Sequence, residues 1–136
     1  MTALTTDRRT PERVAALREF PLAAATTLYA GAMAALNASN ELVPMSASSA
    51  LRAVGRCEAR ADNSAGASGA IRTQVKTGCF RFANSAAADE ITQSDIGTTC
   101  YGVDDQTVAK TDGTGTRSAA GTVFDVDANG VWVEFR

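Results

Sequence analysis

Thr122-Val123-Phe124-Asp125-Val126, then Asp127-Ala128-Asn129-Gly130, then Val131-Trp132-Val133-Glu134-Phe135: two β-rich runs meet at an Asn-Gly pair. That is the strongest short-range signal for a β-hairpin, because Asn and Gly accept the backbone angles of a tight turn. A second stretch agrees with it. Ile71, Thr73, Val75 and Thr77 alternate with Arg72, Gln74 and Lys76, the period of a strand with one buried face. Gly78 separates that run from Cys79-Phe80-Arg81-Phe82. Working outward, short apolar runs recur between turn signals: Leu42-Val43, Leu51 to Ala59 with Gly55 inside, Thr98 to Val103, and Thr107 to Ala109. About eight short strands at roughly ten-residue spacing predict an all-β barrel or sandwich. Two places stay open. Residues 26–36 read as strand by Thr26, Thr27 and Tyr29 but as helix by their alanines. Residues 89–97 have room for one helical turn closed by Gly97.

The first 21 residues have a different texture. They hold Asp7, Arg8, Arg9, Glu12, Arg13, Arg18 and Glu19 and no glycine. Thr10-Pro11-Glu12 is a helix start, with a capping hydroxyl, Pro at the first helical position and acid in the first turn. Val14, Leu17 and Phe20 follow at helical spacing, and Pro21 stops the helix after about two and a half turns. So short a helix is marginal alone in water. The reading is therefore an N-terminal arm over residues 1–21 with a short helix, and a β-rich core over residues 22–136. The predicted core is Leu28, Leu36, Val43, Val54, Cys57, Ile71, Val75, Phe80, Phe82, Ile96, Cys100, Val103, Val108, Val123, Val126, Val131 and Val133.

Composition narrows the chemistry. At 136 residues the chain is one domain, long enough to bury a core without disulfide or metal. Hydrophobic residues are 45%, but alanine dominates them and aromatics are only 6%, so the core is built from small side chains. Thirteen basic against fifteen acidic residues leave a charge of −2, which argues against a nucleic-acid or membrane-surface binder. No histidine is present, which excludes Ser-His-Asp and Cys-His catalysis and His-ligated metal within the chain. Cys57, Cys79 and Cys100 are odd in number and widely spaced, the pattern of free thiols in a reducing compartment. The N-terminus shows no signal peptide, and no apolar stretch approaches the ~20 residues of a membrane span. The sequon Asn37-Ala38-Ser39 carries no weight without a secretory route.

Motifs with catalytic or metal-binding form are incomplete. Asp125-x-Asp127-x-Asn129-Gly130 matches the first half of a calcium loop, but position twelve is Arg136 and the flanks are strands, so the hairpin reading stands. Gly113-Thr114-Gly115-Thr116 lacks the setting of a phosphate loop. Asp104-Asp105 and Asp89-Glu90 are adjacent acids in turns, unlike carboxylates facing across a cleft. Lys76 and Lys110 sit in no motif. No cofactor is implied and no enzyme is expected. Arginine is the conspicuous polar residue: Arg52, Arg56, Arg60, Arg72 and Arg81 lie on or beside predicted strands. Guanidinium groups favour protein interfaces, and the pattern is open between a binding face for an acidic partner and ordinary solvated strand faces. Trp132 and Phe135 read as core or subunit contact.

An ordered series runs through the chain: Leu28-Tyr29-Ala30-Gly31, Ala53-Val54-Gly55-Arg56-Cys57-Glu58, Asp62-Asn63-Ser64-Ala65-Gly66, Gly78-Cys79-Phe80-Arg81-Phe82-Ala83-Asn84-Ser85, Asp95-Ile96-Gly97-Thr98-Thr99-Cys100-Tyr101, Asp104-Asp105-Gln106-Thr107-Val108, Ala120-Gly121-Thr122-Val123 and Gly130-Val131-Trp132-Val133. In this series the chain from Leu22 to Arg136 resembles the decoration, or capsid cement, proteins of tailed-phage heads, as found beside the major head subunit in Mu-like phages and prophages. The resemblance implies a non-enzymatic virion protein with a small β-barrel or β-tulip core and an extended arm. It implies a homotrimer bound to the capsid exterior, made in the host bacterial cytoplasm and clamping major capsid subunits. The arm, through Arg8, Arg9, Arg13, Val14, Leu17, Phe20 and Leu22, would engage the shell or a neighbouring copy, with Arg52 and Arg56 as further contacts. Neither nucleic acid nor membrane is an expected partner. Other readings are a head-completion or tail protein, a glycan-binding β-sandwich on the virion, and an enzyme of unassigned type.

Overall fold

A computed structural model describes residues 2–136. The strands are β1 (Leu17–Pro21), β2 (Thr26–Leu28), β3 (Met33–Leu36), β4 (Leu42–Pro44), β5 (Arg52–Cys57), β6 (Ala61–Asn63), β7 (Arg72–Lys76), β8 (Gly78–Phe82), β9 (Thr99–Gly102), β10 (Val108–Ala109), β11 (Ala119–Asp127) and β12 (Gly130–Phe135). They form three antiparallel sheets, ordered β1-β7-β5-β3-β4, β10-β9-β11-β12-β8, and the two-stranded ribbon β2-β6. The fold is mainly β, as expected. It is not a closed barrel: each sheet keeps two edges, and the sheets stack as layers. Residues 26–36 resolve into β2 and β3, both strands. The region around Asp89 holds two short 3₁₀ turns, Ala87–Asp89 and Gln93–Asp95.

The layers follow from which side each strand buries. Met33 and Ala35 of β3 pack with Phe82, Cys100, Val123, Val131, Val133 and Phe135 of the second sheet. Ala34 and Leu36, pointing the other way, pack with Leu28 and Ala61 of the ribbon and with Leu22, Val54, Cys57 and Val75. All four residues of β3 are buried. The first sheet is thus covered on both faces at β3, by the second sheet and by the ribbon, while on β7 Arg72, Gln74 and Lys76 stay exposed. The second sheet is covered on one face only. Thr77 joins β7 to β8 and turns the chain from one sheet into the other.

The hairpin forms as read. Asp127 pairs with Gly130, leaving Ala128 and Asn129 as the turn. Gly130 takes φ +147, and a Cβ there would lie 2.4 Å from the Phe82 carbonyl oxygen, so the β12–β8 pairing requires glycine. The Asp127 carboxylate accepts the Asn129 N–H at 2.7 Å and the Trp132 indole N–H at 3.0 Å. The half-motif for calcium is thereby used as a turn clamp.

Two expectations are corrected. No helix forms between Thr10 and Phe20. Leu17–Pro21 is instead β1, paired with β7 from Leu17↔Lys76 to Pro21↔Arg72. The Thr77 N–H donates to the Ala16 carbonyl at 2.8 Å and extends the ladder by one residue. Pairing satisfies this backbone and packs Phe20 against the second cluster, a gain that an isolated short helix lacks. Ile96, placed in the core from its pattern, is 43% exposed, whereas Ile91 is 1% exposed. Asn84 sets that choice: its side chain donates to the Ile91 carbonyl at 2.8 Å and accepts the Ile91 N–H at 2.9 Å.

Met33 is the largest β3 side chain in the inter-sheet layer. Met33→Ala is expected to cost about 2–5 kcal/mol, read as a lower urea midpoint with an unchanged slope.

Candidate interaction surfaces

The arm separates from the sheets upstream of Ala15. Thr77 Oγ1 donates to the carbonyl of Ala15 at 2.5 Å, and its N–H to Ala16. Before that point the hydrogen bonds are local: the Thr10 N–H reaches the Arg8 carbonyl at 3.0 Å, and the Arg8 guanidinium reaches Thr10 Oγ1 at 2.6 Å. Leu4 and Val14 are 71% and 84% exposed. Among the described residues, Arg8, Arg9 and Arg13 make none of the ion pairs. Thus Arg8, Arg9, Arg13 and Val14 share one exposed segment, and Leu17, at the edge of β1, is half exposed beside Arg13.

The remaining expected arm contacts lie elsewhere. Phe20 is half-buried against the second cluster, with the Arg18 guanidinium 5.4 Å from its ring centroid. Arg18 also donates to the Val54 carbonyl at 2.9 Å, pinning β1 across β7 to β5. Leu22 is fully buried and its N–H donates to the Ile71 carbonyl at 2.9 Å. It belongs to the core and is removed from the contact set.

Arg52 and Arg56 do not form one face. Strict alternation along β5 would put both on the same side. The pairing with β3 slips, however: Leu36↔Arg52 and Ala35↔Ala53 are followed by Ala34↔Gly55 and Met33↔Arg56. Val54 is the extra residue of a β-bulge. Gly55 takes φ +138 there, and a Cβ would sit 2.3 Å from the Lys76 carbonyl oxygen. The slip turns Arg56 to the inter-sheet side, where its guanidinium lies 4.1 Å from the Phe80 ring centroid and 2.9 Å from Glu58. Arg52 stays exposed on the other side, bonded to Asn40 of the β3–β4 turn. The other arginines are dispersed too: Arg60 over Tyr29, Arg72 on Glu19, Arg81 over Trp132. Among the described residues these five arginines do not gather on one face.

Of Trp132 and Phe135, both read from the sequence as core or subunit contact, Phe135 is core and Trp132 lies on the outer side of the second sheet. Val131, Val133 and Phe135 point inward, so Trp132 and Glu134 point outward. Cross-strand pairing places Arg81, Trp132 and Asp125 in one row and Cys79, Glu134 and Thr122 in the next. Phe124, displaced at a second bulge between Val123 and Asp125, is 61% exposed. Cys79, Phe124, Asp125 and Trp132 line one shallow depression.

Burial pushes the Cys100 thiol up to about 11, and also raises Cys57 and Cys79, which leaves all three protonated at neutral pH. The Asp95 carboxyl is held below the ordinary carboxylate value, chiefly by the Thr92 N–H at 2.8 Å and with help from Lys110 at 3.7 Å. Asp127 is lowered by the Trp132 indole, and Asp89 by the Thr111 hydroxyl and Arg117. Among the described residues no group of three His, Cys, Asp or Glu side chains is placed to hold a metal ion, and no helix is long and apolar enough to cross a membrane. In comparisons with known proteins, no family model, no curated protein and no solved structure matches the chain.

Two predictions follow the geometry. Arg56→Ala should lower stability by roughly 1 kcal/mol through the lost Phe80 stacking and ion pair, whereas Arg52→Ala should be near neutral; urea unfolding of both variants separates them. Carboxyls with lowered folded values stabilise the protein above the unfolded value near 3.9 and stop doing so as pH falls through the folded value. The melting temperature should therefore drop as the pH is taken below about 4, and Asp95→Asn should flatten that drop.

Proposed function

We propose that this chain is a non-enzymatic decoration protein of a phage capsid, bound as a trimer to the shell exterior and fastened through its arm to major capsid subunits. One observation carries the reading. A segment with exposed Leu4 and Val14 and three arginines outside any ion pair leaves the edge of a layered β body. Extended, residues 2–14 span roughly 40 Å, enough to cross from one subunit to its neighbour. An apolar and basic segment with no site on its own body is suited to order on a partner. The resemblance over Leu22–Arg136 supplies the partner, the major capsid protein.

The physical requirements of a clamp agree with this body. Burial of β3 on both sides ties the first sheet to the second sheet and to the ribbon, a stiff joint under load. Each copy can bind weakly, because many copies on one shell, and three arms on one trimer, multiply the total. The contact set on this reading is Arg8, Arg9, Arg13, Val14 and Leu17.

Deleting residues 2–14 should leave thermal unfolding unchanged, since among the described residues no hydrogen bond to the sheets precedes Ala15. The same deletion should abolish co-sedimentation with empty expanded heads, which the full chain should join at high copy number. Equal binding by the truncated chain would remove the arm from the reading. A full chain that ignores heads would remove the reading itself.

A further inference from the structure

We infer that the outer face of the β10-β9-β11-β12-β8 sheet is a self-association surface, on which a second copy of this chain packs face to face about a two-fold axis along β12. The inference is independent of the capsid reading, since it rests on another face of the molecule.

The face is bare where its counterpart is not. At β3 the outer side of the first sheet is covered by the β2–β6 ribbon, while Arg81, Thr122, Phe124 and Asp125 on the second sheet are exposed. Its centre is aromatic, with Phe124 beside Trp132. Aromatic residues and arginine are the types that carry binding energy at protein interfaces. Trp132 is also held in advance: its indole N–H is bonded to Asp127 and the Arg81 guanidinium lies 5.8 Å from its ring centroid. A side chain already fixed loses little freedom on association.

Charge selects the occupant and its orientation. Across the strands the central row reads Arg81, Trp132, Asp125: positive, aromatic, negative. Such a row is complementary to its own reverse. An axis running along β12 reverses it, so Arg81 of one copy meets Asp125 of the other, and the two Trp132 rings meet near the axis. An axis running across the strands would instead lay Arg81 on Arg81 and Asp125 on Asp125, which like-charge repulsion disfavours. Glu134 also falls on the β12 axis, and it already carries the Arg136 guanidinium at 3.3 Å as counter-ion. The contact is isologous, so it pairs bodies and does not propagate. A trimer closed by another interface would be paired by it as a unit.

Light scattering of the full chain should give an even number of 14.1 kDa chains. Arg81→Asp and Asp125→Arg should each halve that number, the double variant should restore it, and Phe124→Ser should halve it, all with unchanged circular dichroism. A monomer or an unpaired trimer at the highest soluble concentration would overturn the inference while leaving the capsid reading standing. Charge reversals without effect would overturn it equally. A mass that stays single while an oligosaccharide quenches Trp132 fluorescence would assign the face to glycan.

Discussion

The four residues Met33-Ala34-Ala35-Leu36 are buried on both sides of their sheet, and the layering of the molecule depends on them. A strand with water on one side needs only half its residues apolar. This one must satisfy two cores at once, Met33 and Ala35 toward the second sheet, Ala34 and Leu36 toward the ribbon. Alanine at its centre lets backbones approach closely from both sides, and the longer Met33 and Leu36 fill the space at its ends. The same economy appears at Gly102, where a Cβ would stand 2.4 Å from Met45, and at Gly121, where it would stand 2.4 Å from the Glu134 carbonyl oxygen. An interior so thin explains how an alanine-rich, aromatic-poor chain still excludes water.

That layering also decides which surfaces are free. Burying β3 on both faces leaves the edge strand β1, and the arm that precedes it, as the way out toward a partner. Burying one face of the second leaves a broad open face whose central row is charged at both ends and aromatic in the middle. The two surfaces differ in kind. The arm offers reach and few fixed contacts, so it gains by ordering on something else. The sheet face is rigid and self-complementary, so it gains by meeting its own copy. The mid-chain arginines, the most visible polar feature of the sequence, instead serve local packing, as Arg56 on Phe80 and Arg18 on Val54 illustrate.

Much of the fold was legible because its signals are local. Asn129-Gly130 between β-rich runs, and the alternation from Ile71 to Thr77, depend only on turn chemistry and the two-residue period of a strand. Other features were not, and each for a definable reason. The helix start at Thr10-Pro11-Glu12 is real as a local preference, but β7 offers Leu17–Pro21 a long-range ladder that outweighs it. Ile91 and Ile96 look alike in sequence; the Asn84 side chain, seven residues from Ile91, decides which is buried. Leu22 sits next to a proline at the end of a charged segment and reads as arm, yet pairing with Ile71 takes it into the core. Arg52 and Arg56 read as neighbours on one face until the bulge at Val54 separates them.

By itself, then, the sequence determined the class of structure and of chemistry: strands in place of helices, a small-residue core, a distinct charged N-terminus, and no histidine for catalysis or metal. Those properties are sums or short-range patterns, and no distant residue can change them. Only the tertiary structure decided that the sheets stack in layers without closing into a barrel, that the chain joins the body at Ala15, and that the arginines scatter while Arg81, Trp132 and Asp125 align. The side a residue faces depends on the register its strand adopts with partners far away in the chain, and one inserted residue such as Val54 inverts everything beyond it.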